Sequence, residues 1–197
     1  MFWFEDEVKS LEKKKFPDPL KKKIVFYGSS SVRLWGDIAA SFPGHNILNL
    51  GFGGSTLAAC AWYFERVVVP YHPQSLIIYA GDNDLGDGRH PEEVLLFLVA
   101  LMEKASLSLK DVNVSFLSVK PSIARWDIID RIRYTNQIIQ KEIHARSQWH
   151  YIDVFTPMLD ANGYPRKELF QDDGLHLSVK GYQVWQEVIG QNSHIIF

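Results

Sequence analysis

Ile24-Val25-Phe26-Tyr27-Gly28-Ser29-Ser30-Ser31-Val32-Arg33-Leu34-Trp35 is the stretch on which the reading of this chain turns. Four apolar, mostly β-favouring residues run into a glycine, three serines and the start of an apolar-periodic segment. That pattern predicts a short buried strand, a tight turn and a helix N-terminus. A serine placed there sits at the carboxyl end of a strand, where parallel α/β sheets open their crevice to ligand. Its backbone N–H belongs to the unsatisfied first turn of a helix and can face an anion. Serines at such a position also serve as plain helix caps. The rest of the chain must therefore supply partners before the stretch carries chemistry.

Working outward, the same pattern recurs. Asn46 to Leu50 reads as a second strand ending at Gly51-Phe52-Gly53-Gly54-Ser55, and Ser75 to Ala80 as a third, stopping at Gly81-Asp82-Asn83-Asp84. Val112 to Val119 is a fourth, ending at Lys120-Pro121-Ser122, and Trp149 to Val154 a fifth. Helices are expected near 31 to 41, from Ser55 to about Arg66, from Pro91 onward, and along Ile128, Ile132, Ile139 and Ile143. A loop to about Leu177 leads into a closing helix with Val179, Tyr182, Trp185 and Ile189 on one face. At the front, Phe4, Val8 and Leu11 share a face, predicting an amphipathic helix at about 3–14. The lysine triplets at 13–15 and 21–23, around Pro17 and Pro19, read as a solvated linker. Five apolar strands alternating with helices imply an α/β fold whose parallel sheet is covered on both sides. Right-handed crossovers make it a three-layer α/β/α sandwich of flavodoxin-like type. With no internal repeat or interdomain linker, residues 1–197 are expected to form one domain.

Composition narrows the partners. A net charge of −2 gives no reason to expect nucleic acid or an anionic membrane. The single cysteine, Cys60, rules out an intrachain disulfide framework. The first residues lack the basic and apolar regions of a secretory signal, and no apolar run approaches the ~18 residues of a membrane span. The expectation is a cytoplasmic protein acting on a small molecule, without stable membrane insertion and with its oligomeric state open.

In the expected topology the ends of the first three strands lie side by side. They bring Ser30, Gly53-Gly54 and Asn83 to one edge. A glycine pair lets backbone approach a ligand and turn an N–H toward it, and a carboxamide adds another donor. Donors converging near a serine hydroxyl suit the oxyanion of acyl transfer. A serine needs an adjacent base held by a third group. Asp172-Asp173-Gly174-Leu175-His176-Leu177 offers one, because a spacing of three lets one turn bring the Asp173 carboxylate to the His176 imidazole. The other histidines, at 45, 72, 90, 144, 150 and 194, lack such a partner and setting. A zinc site would want further ligands, and no cysteine or histidine cluster provides them. There is no G-x-S-x-G elbow and no Walker A pattern. Gly51-Phe52-Gly53-Gly54-Ser55-Thr56 fails the dinucleotide fingerprint at its last glycine. No metal or organic cofactor is expected.

Together these segments resemble the blocks of the SGNH, or GDSL-type, serine hydrolase family. Gly28-Ser29-Ser30 looks like the first block, with serine in place of the usual aspartate. Asn49-Leu50-Gly51-Phe52-Gly53-Gly54 looks like the second, Gly81-Asp82-Asn83-Asp84 the third and Asp173-Gly174-Leu175-His176 the fifth. The similarity runs in order from about residue 24 to 190. It extends to a Gly-Ser-Ser-Ser bacterial subgroup, with Arg-Leu-Trp after the serines and Lys120-Pro121-Ser122 in the fourth loop. The resemblance implies Ser30 as nucleophile, with His176 and Asp173 completing a triad. It likewise implies the Ser30 and Gly54 N–H groups and the Asn83 side chain as oxyanion donors. It is the resemblance that selects Ser30 among the three serines. The implied activity is hydrolysis of short-chain carboxylic esters through an acyl-enzyme. A carbohydrate O-acetylesterase, with Trp126 stacking on a sugar, and a non-catalytic flavodoxin-like binding module are the competing expectations.

Overall fold

A computed structural model describes residues 1–197. Strands β1 (Lys23–Gly28), β2 (Asn46–Gly51), β3 (Ser75–Tyr79), β4 (Asn113–Leu117) and β5 (Trp149–Ile152) form one sheet in the order β2-β1-β3-β4-β5. Every pairing is parallel. The chain moves one way from β1 to β2, then returns past β1 for the other strands. That reversal is the switch point at which open α/β sheets bind ligands.

Nine α-helices accompany the sheet: α1 (Glu5–Leu11), α2 (Ser30–Arg33), α3 (Ile38–Ser41), α4 (Leu57–Val67), α5 (Asp82–Gly86), α6 (Pro91–Ser108), α7 (Ile129–His144), α8 (Val179–Gln191) and α9 (Ser193–Ile196). Alternate strand residues point to opposite faces, and two cores result. Val25, Tyr27, Leu48, Leu50, Ile78 and Phe116 pack with α1, α4, α6 and α7 in a cluster of 35 buried residues. Ile24, Phe26, Ile47, Ile77, Tyr79 and Leu117 pack with α2, α3, α8 and α9 in a second of 20. The three-layer α/β/α architecture is thus the one expected.

Local differences have local causes. The helix expected near 31–41 is two short helices, because Gly36 interrupts and Asp37 caps the second by accepting from the Ala40 N–H at 3.1 Å. The N-terminal segment is a 3₁₀ turn, Phe2–Phe4, leading into an α-helix that stops at Leu11. Val179, placed on the buried face of the last helix by its spacing, is exposed at the first helical position, and Leu177 before it enters the core. The loop before that helix holds 3₁₀ turns at Thr156–Met158 and Lys167–Leu169 and a bridge between Phe170 and Leu177. Of the linker lysines, Lys14 donates to the Asn49 carbonyl at 2.6 Å.

Register sets the site. Gly28, at the end of β1, pairs with Gly51 on one side and Tyr79 on the other. The loops after β1, β2 and β3 therefore leave the sheet at one level. A Cβ on Gly28 would stand 1.8 Å from the Tyr79 carbonyl oxygen, and φ is +141°, so only glycine lets the strand turn there.

Candidate active site

Beyond Gly28 the chain turns directly into α2. Ser29 is its N-cap residue and is fully buried; its N–H donates to the Tyr79 carbonyl at 2.9 Å and its hydroxyl has no partner. Ser31 is buried as well, and its carbonyl accepts from the Tyr182 hydroxyl at 3.0 Å. Ser30 alone is half-buried, and its Oγ lies 3.1 Å from His176 Nε2. The buried Ser29 hydroxyl stands where the family pattern has an aspartate, and it makes none of a carboxylate's contacts.

The histidine is held by its own loop. Asp173 Oδ1 accepts from the N–H groups of Leu175 and His176, both at 2.9 Å, while Oδ2 lies 2.5 Å from His176 Nδ1. The imidazole at its side, then the two backbone donors, hold the Asp173 carboxyl down to about 2. A carboxylate against Nδ1 fixes the tautomer that leaves a lone pair on Nε2, toward Ser30. The loop closes on itself through the Gln171 N–H to His176 carbonyl bond at 2.8 Å.

On the loops that leave β1, β2 and β3 at this level, three N–H hydrogens have no protein acceptor. The Ser30 N–H is the first of α2 and bonds to nothing. Of the glycine pair, the Gly53 N–H is taken by Glu7 Oε2 at 2.8 Å, whereas the Gly54 N–H is free on a residue at φ +66°. Asn83 Nδ2 donates one hydrogen to the Ser55 carbonyl at 3.1 Å and keeps the other. Thus Asp173, His176 and Ser30, scattered over the sequence, are in contact, and Gly54 and Asn83 lie on the neighbouring strand-end loops of the same sheet edge.

Several residues that the sequence reading passed over support this edge. Asp82 is buried between Lys120 Nζ at 3.0 Å and Arg125 Nη1 at 3.2 Å, and the two cations outweigh its burial and keep its carboxyl below the usual range. Arg125 Nη2 also reaches Asn83 Oδ1 at 2.9 Å. Asp84 accepts from the Leu57 N–H at 2.7 Å, and burial pushes its carboxyl up to about 6. Asn136 clasps both backbone groups of Val119 at 2.8 Å. Three of these, Asp82, Asp84 and Asn136, had a readable signal. Acids on both sides of a candidate oxyanion donor oppose the charge it must stabilise unless they are neutralised. Asn136 is a polar residue inside the isoleucine stripe of α7.

Trp126 stacks on Tyr164 with ring centroids 4.9 Å apart and carries the Arg133 guanidinium 5.8 Å from its ring centre. No three His, Cys, Asp or Glu side chains gather in a group that could hold a metal ion. No helix is long and apolar enough to cross a membrane.

The sequence of residues 24–184 matches the family model of the GDSL-like lipase/acylhydrolase family. The chain belongs to that family. Solved structures similar to this family member include one from Streptococcus pneumonia provisionally assigned as a platelet activating factor, 22% identical over 95% of this chain and 91% of that one, with a TM-score of 0.85. A GDSL-like lipase from Bacteroides thetaiotaomicron is 20% identical over 96% of both chains, with a TM-score of 0.78. An acetyl xylan esterase from Geobacillus stearothermophilus is 14% identical over 89% of this chain and 96% of that one, with a TM-score of 0.73. At these identities the structures share the fold. No curated protein sequence matches the chain. The family is the one that the sequence blocks resemble.

Proposed function

We propose that this member of the GDSL-like lipase/acylhydrolase family is a serine esterase that cleaves short-chain carboxylic esters through an acyl-enzyme. The observation that carries the reading is the chain of contacts from Asp173 through His176 to Ser30, set among three unpaired donors. His176 Nε2 takes the Ser30 proton as Oγ attacks the ester carbonyl. Negative charge then develops on the carbonyl oxygen, where the N–H groups of Ser30 and Gly54 and the free N–H of Asn83 stabilise it. Collapse expels the alcohol, protonated by His176. Water, deprotonated by the same imidazole, attacks the acyl-serine and releases the acid. No metal or cofactor takes part, and a chelator leaves the rate unchanged.

The segments long enough to cover the serine, Lys120 to Trp126 and Phe155 to Phe170, both carry charged residues, which supports a small substrate. A long acyl chain would gain little from such walls. Acetyl to about hexanoyl esters are expected to outrank longer ones, with no activation at interfaces. A deacetylase of carbohydrates would use the same five residues with a sugar as the alcohol, and acetylated saccharides belong in the same substrate panel.

The test is an active-site-directed fluorophosphonate. Labelling at Ser30, lost together with p-nitrophenyl acetate hydrolysis in folded Ser30→Ala, is the expected result. Failure to label the folded wild-type protein would make it a binding module. Robust hydrolysis by Ser30→Ala would remove Ser30 from the chemistry.

A further inference from the structure

We infer that Arg125 is a positioning residue for the oxyanion site: it fixes and polarises the Asn83 carboxamide so that its free N–H faces the developing charge. This rests on the reading of Asn83 as an oxyanion donor. Arg125 lies in the loop from Lys120 to Trp126, between β4 and α7. Its guanidinium binds in two directions, Nη2 to Asn83 Oδ1 at 2.9 Å and Nη1 to Asp82 Oδ2 at 3.2 Å. Lys120 Nζ holds the same Asp82 oxygen at 3.0 Å. Asn83 is thereby clamped at both ends of its amide, Oδ1 on a cation and Nδ2 on the Ser55 carbonyl. Reversing the amide would set two donors face to face at Arg125 and two acceptors face to face at Ser55, so a single orientation survives.

The consequences for chemistry are two. A donor fixed beforehand costs no reorganisation when the oxyanion forms. A cation bonded to the amide oxygen also draws electron density from the nitrogen and makes the remaining N–H a stronger donor. Lys120 and Arg125 also neutralise the Asp82 carboxylate next to the donor, whose charge would otherwise oppose the oxyanion. The fold makes room for it at Gly86, where a Cβ would stand 2.7–2.8 Å from the Arg125 guanidinium. The same loop touches the other half of the site, since the Ala124 N–H donates to the Gly174 carbonyl at 3.1 Å.

The experiment compares Arg125→Ala, Gly86→Ala, Asn83→Ala and the Arg125→Ala/Asn83→Ala pair. It measures kcat and KM on p-nitrophenyl acetate, the second-order rate of Ser30 phosphonylation by a fluorophosphonate, and Tm. Asn83→Ala is expected to lose roughly 10²–10³-fold in kcat. Arg125→Ala is expected to lose about 10–100-fold, as outer-shell partners do, with KM changed less than about threefold. In the Asn83→Ala background the Arg125 change costs less than about threefold, because the group it positions is gone. Millimolar guanidinium restores the rate to Arg125→Ala and not to the double variant. Gly86→Ala shifts the Arg125 guanidinium without deleting its charge and suits a helix, so kcat falls while Tm drops less than in Arg125→Ala. Native kcat in folded Arg125→Ala beside a crippled Asn83→Ala overturns the inference, as does a fully additive double variant. Should Arg125→Ala not fold, native kcat in Gly86→Ala overturns it. Native kcat in Asn83→Ala instead overturns the oxyanion reading beneath it, and the inference falls with that reading.

Discussion

Replacing Asp173 by asparagine keeps the shape of the site and inverts its proton chemistry. Asp173 Oδ1 accepts two backbone N–H groups at 2.9 Å, and Oδ2 faces His176 Nδ1 at 2.5 Å. In Asp173→Asn the amide oxygen must stay with the two N–H groups, because an NH₂ there would oppose two donors. The NH₂ then faces Nδ1, which becomes the acceptor, and the imidazole proton moves to Nε2. That nitrogen stands 3.1 Å from Ser30 Oγ and can no longer take its proton. A wrong tautomer in an intact triad costs about 10⁴-fold in kcat, or ~5.5 kcal/mol, with KM little affected. Stability changes little at pH 7, since the backbone contacts survive and the altered contact to His176 Nδ1 is partly exposed. That small term also has a pH sign. The folded carboxyl sits at about 2 against an ordinary 3.8, so its contribution is complete above 3.8 and disappears as pH falls through about 2. The assay is kcat for p-nitrophenyl acetate together with Tm for both proteins. A folded Asp173→Asn enzyme within about tenfold of wild-type kcat would refute the triad argument.

Gly54 and Gly163 both sit at positive φ, +66° and +82°, and a Cβ at either meets no atom within 4 Å. Alanine at each should therefore cost the same left-handed strain, ~1–2 kcal/mol, and lower Tm by about 2–8 °C. Only Gly54→Ala should lower kcat, by at least about tenfold, as relief of that strain turns its N–H from the oxyanion; equal rates in the two would remove Gly54 from the site. Asp84 supplies a stability test. Its folded carboxyl is raised to about 6 from 3.8, so the native state binds more protons than the unfolded chain in that window and stability falls as pH rises through it. At ~1.4 kcal/mol per pH unit the window is worth up to ~3 kcal/mol. Asp84→Asn should flatten the slope between pH 4 and 6 in denaturant titrations, and an unchanged slope would place it elsewhere.

What the sequence made legible were features with a period or a fixed local spacing. Strand-length apolar runs ending in glycine announced the parallel sheet, and Asp173 and His176 lie close enough in the chain for one turn to join them. Ser30 was harder, because three adjacent serines share every local signal, and only burial separates them. Ser29 and Ser31 are sealed in the core while Ser30 meets His176 from 146 residues away. Between Gly53 and Gly54 the deciding fact is Glu7, whose carboxylate consumes the Gly53 N–H from a helix 46 residues earlier. No periodicity reports a partner so distant.

The pairing of Asp82 with Lys120 and Arg125 was illegible for a further reason. Asp82 opens α5, Lys120 and Arg125 lie in the loop after β4, and a charge just past a strand end ordinarily reads as solvent-exposed. Burying such charges gains little stability over apolar packing of the same volume, while removing one partner leaves the rest uncompensated. A buried Lys120–Asp82 pair therefore cannot be explained as a stabilising device on its own. Asp82 precedes Asn83, and the second cation on Asp82 is also the cation on the Asn83 amide. One carboxylate gives Arg125 its anchor, Lys120 offsets that carboxylate's own charge, and the Arg125 guanidinium stays on the Asn83 amide. Read as a holder for the Arg125 guanidinium, the ion cluster accounts for each of its three members; read as core packing, it leaves Arg125 and the orientation of Asn83 without a cause.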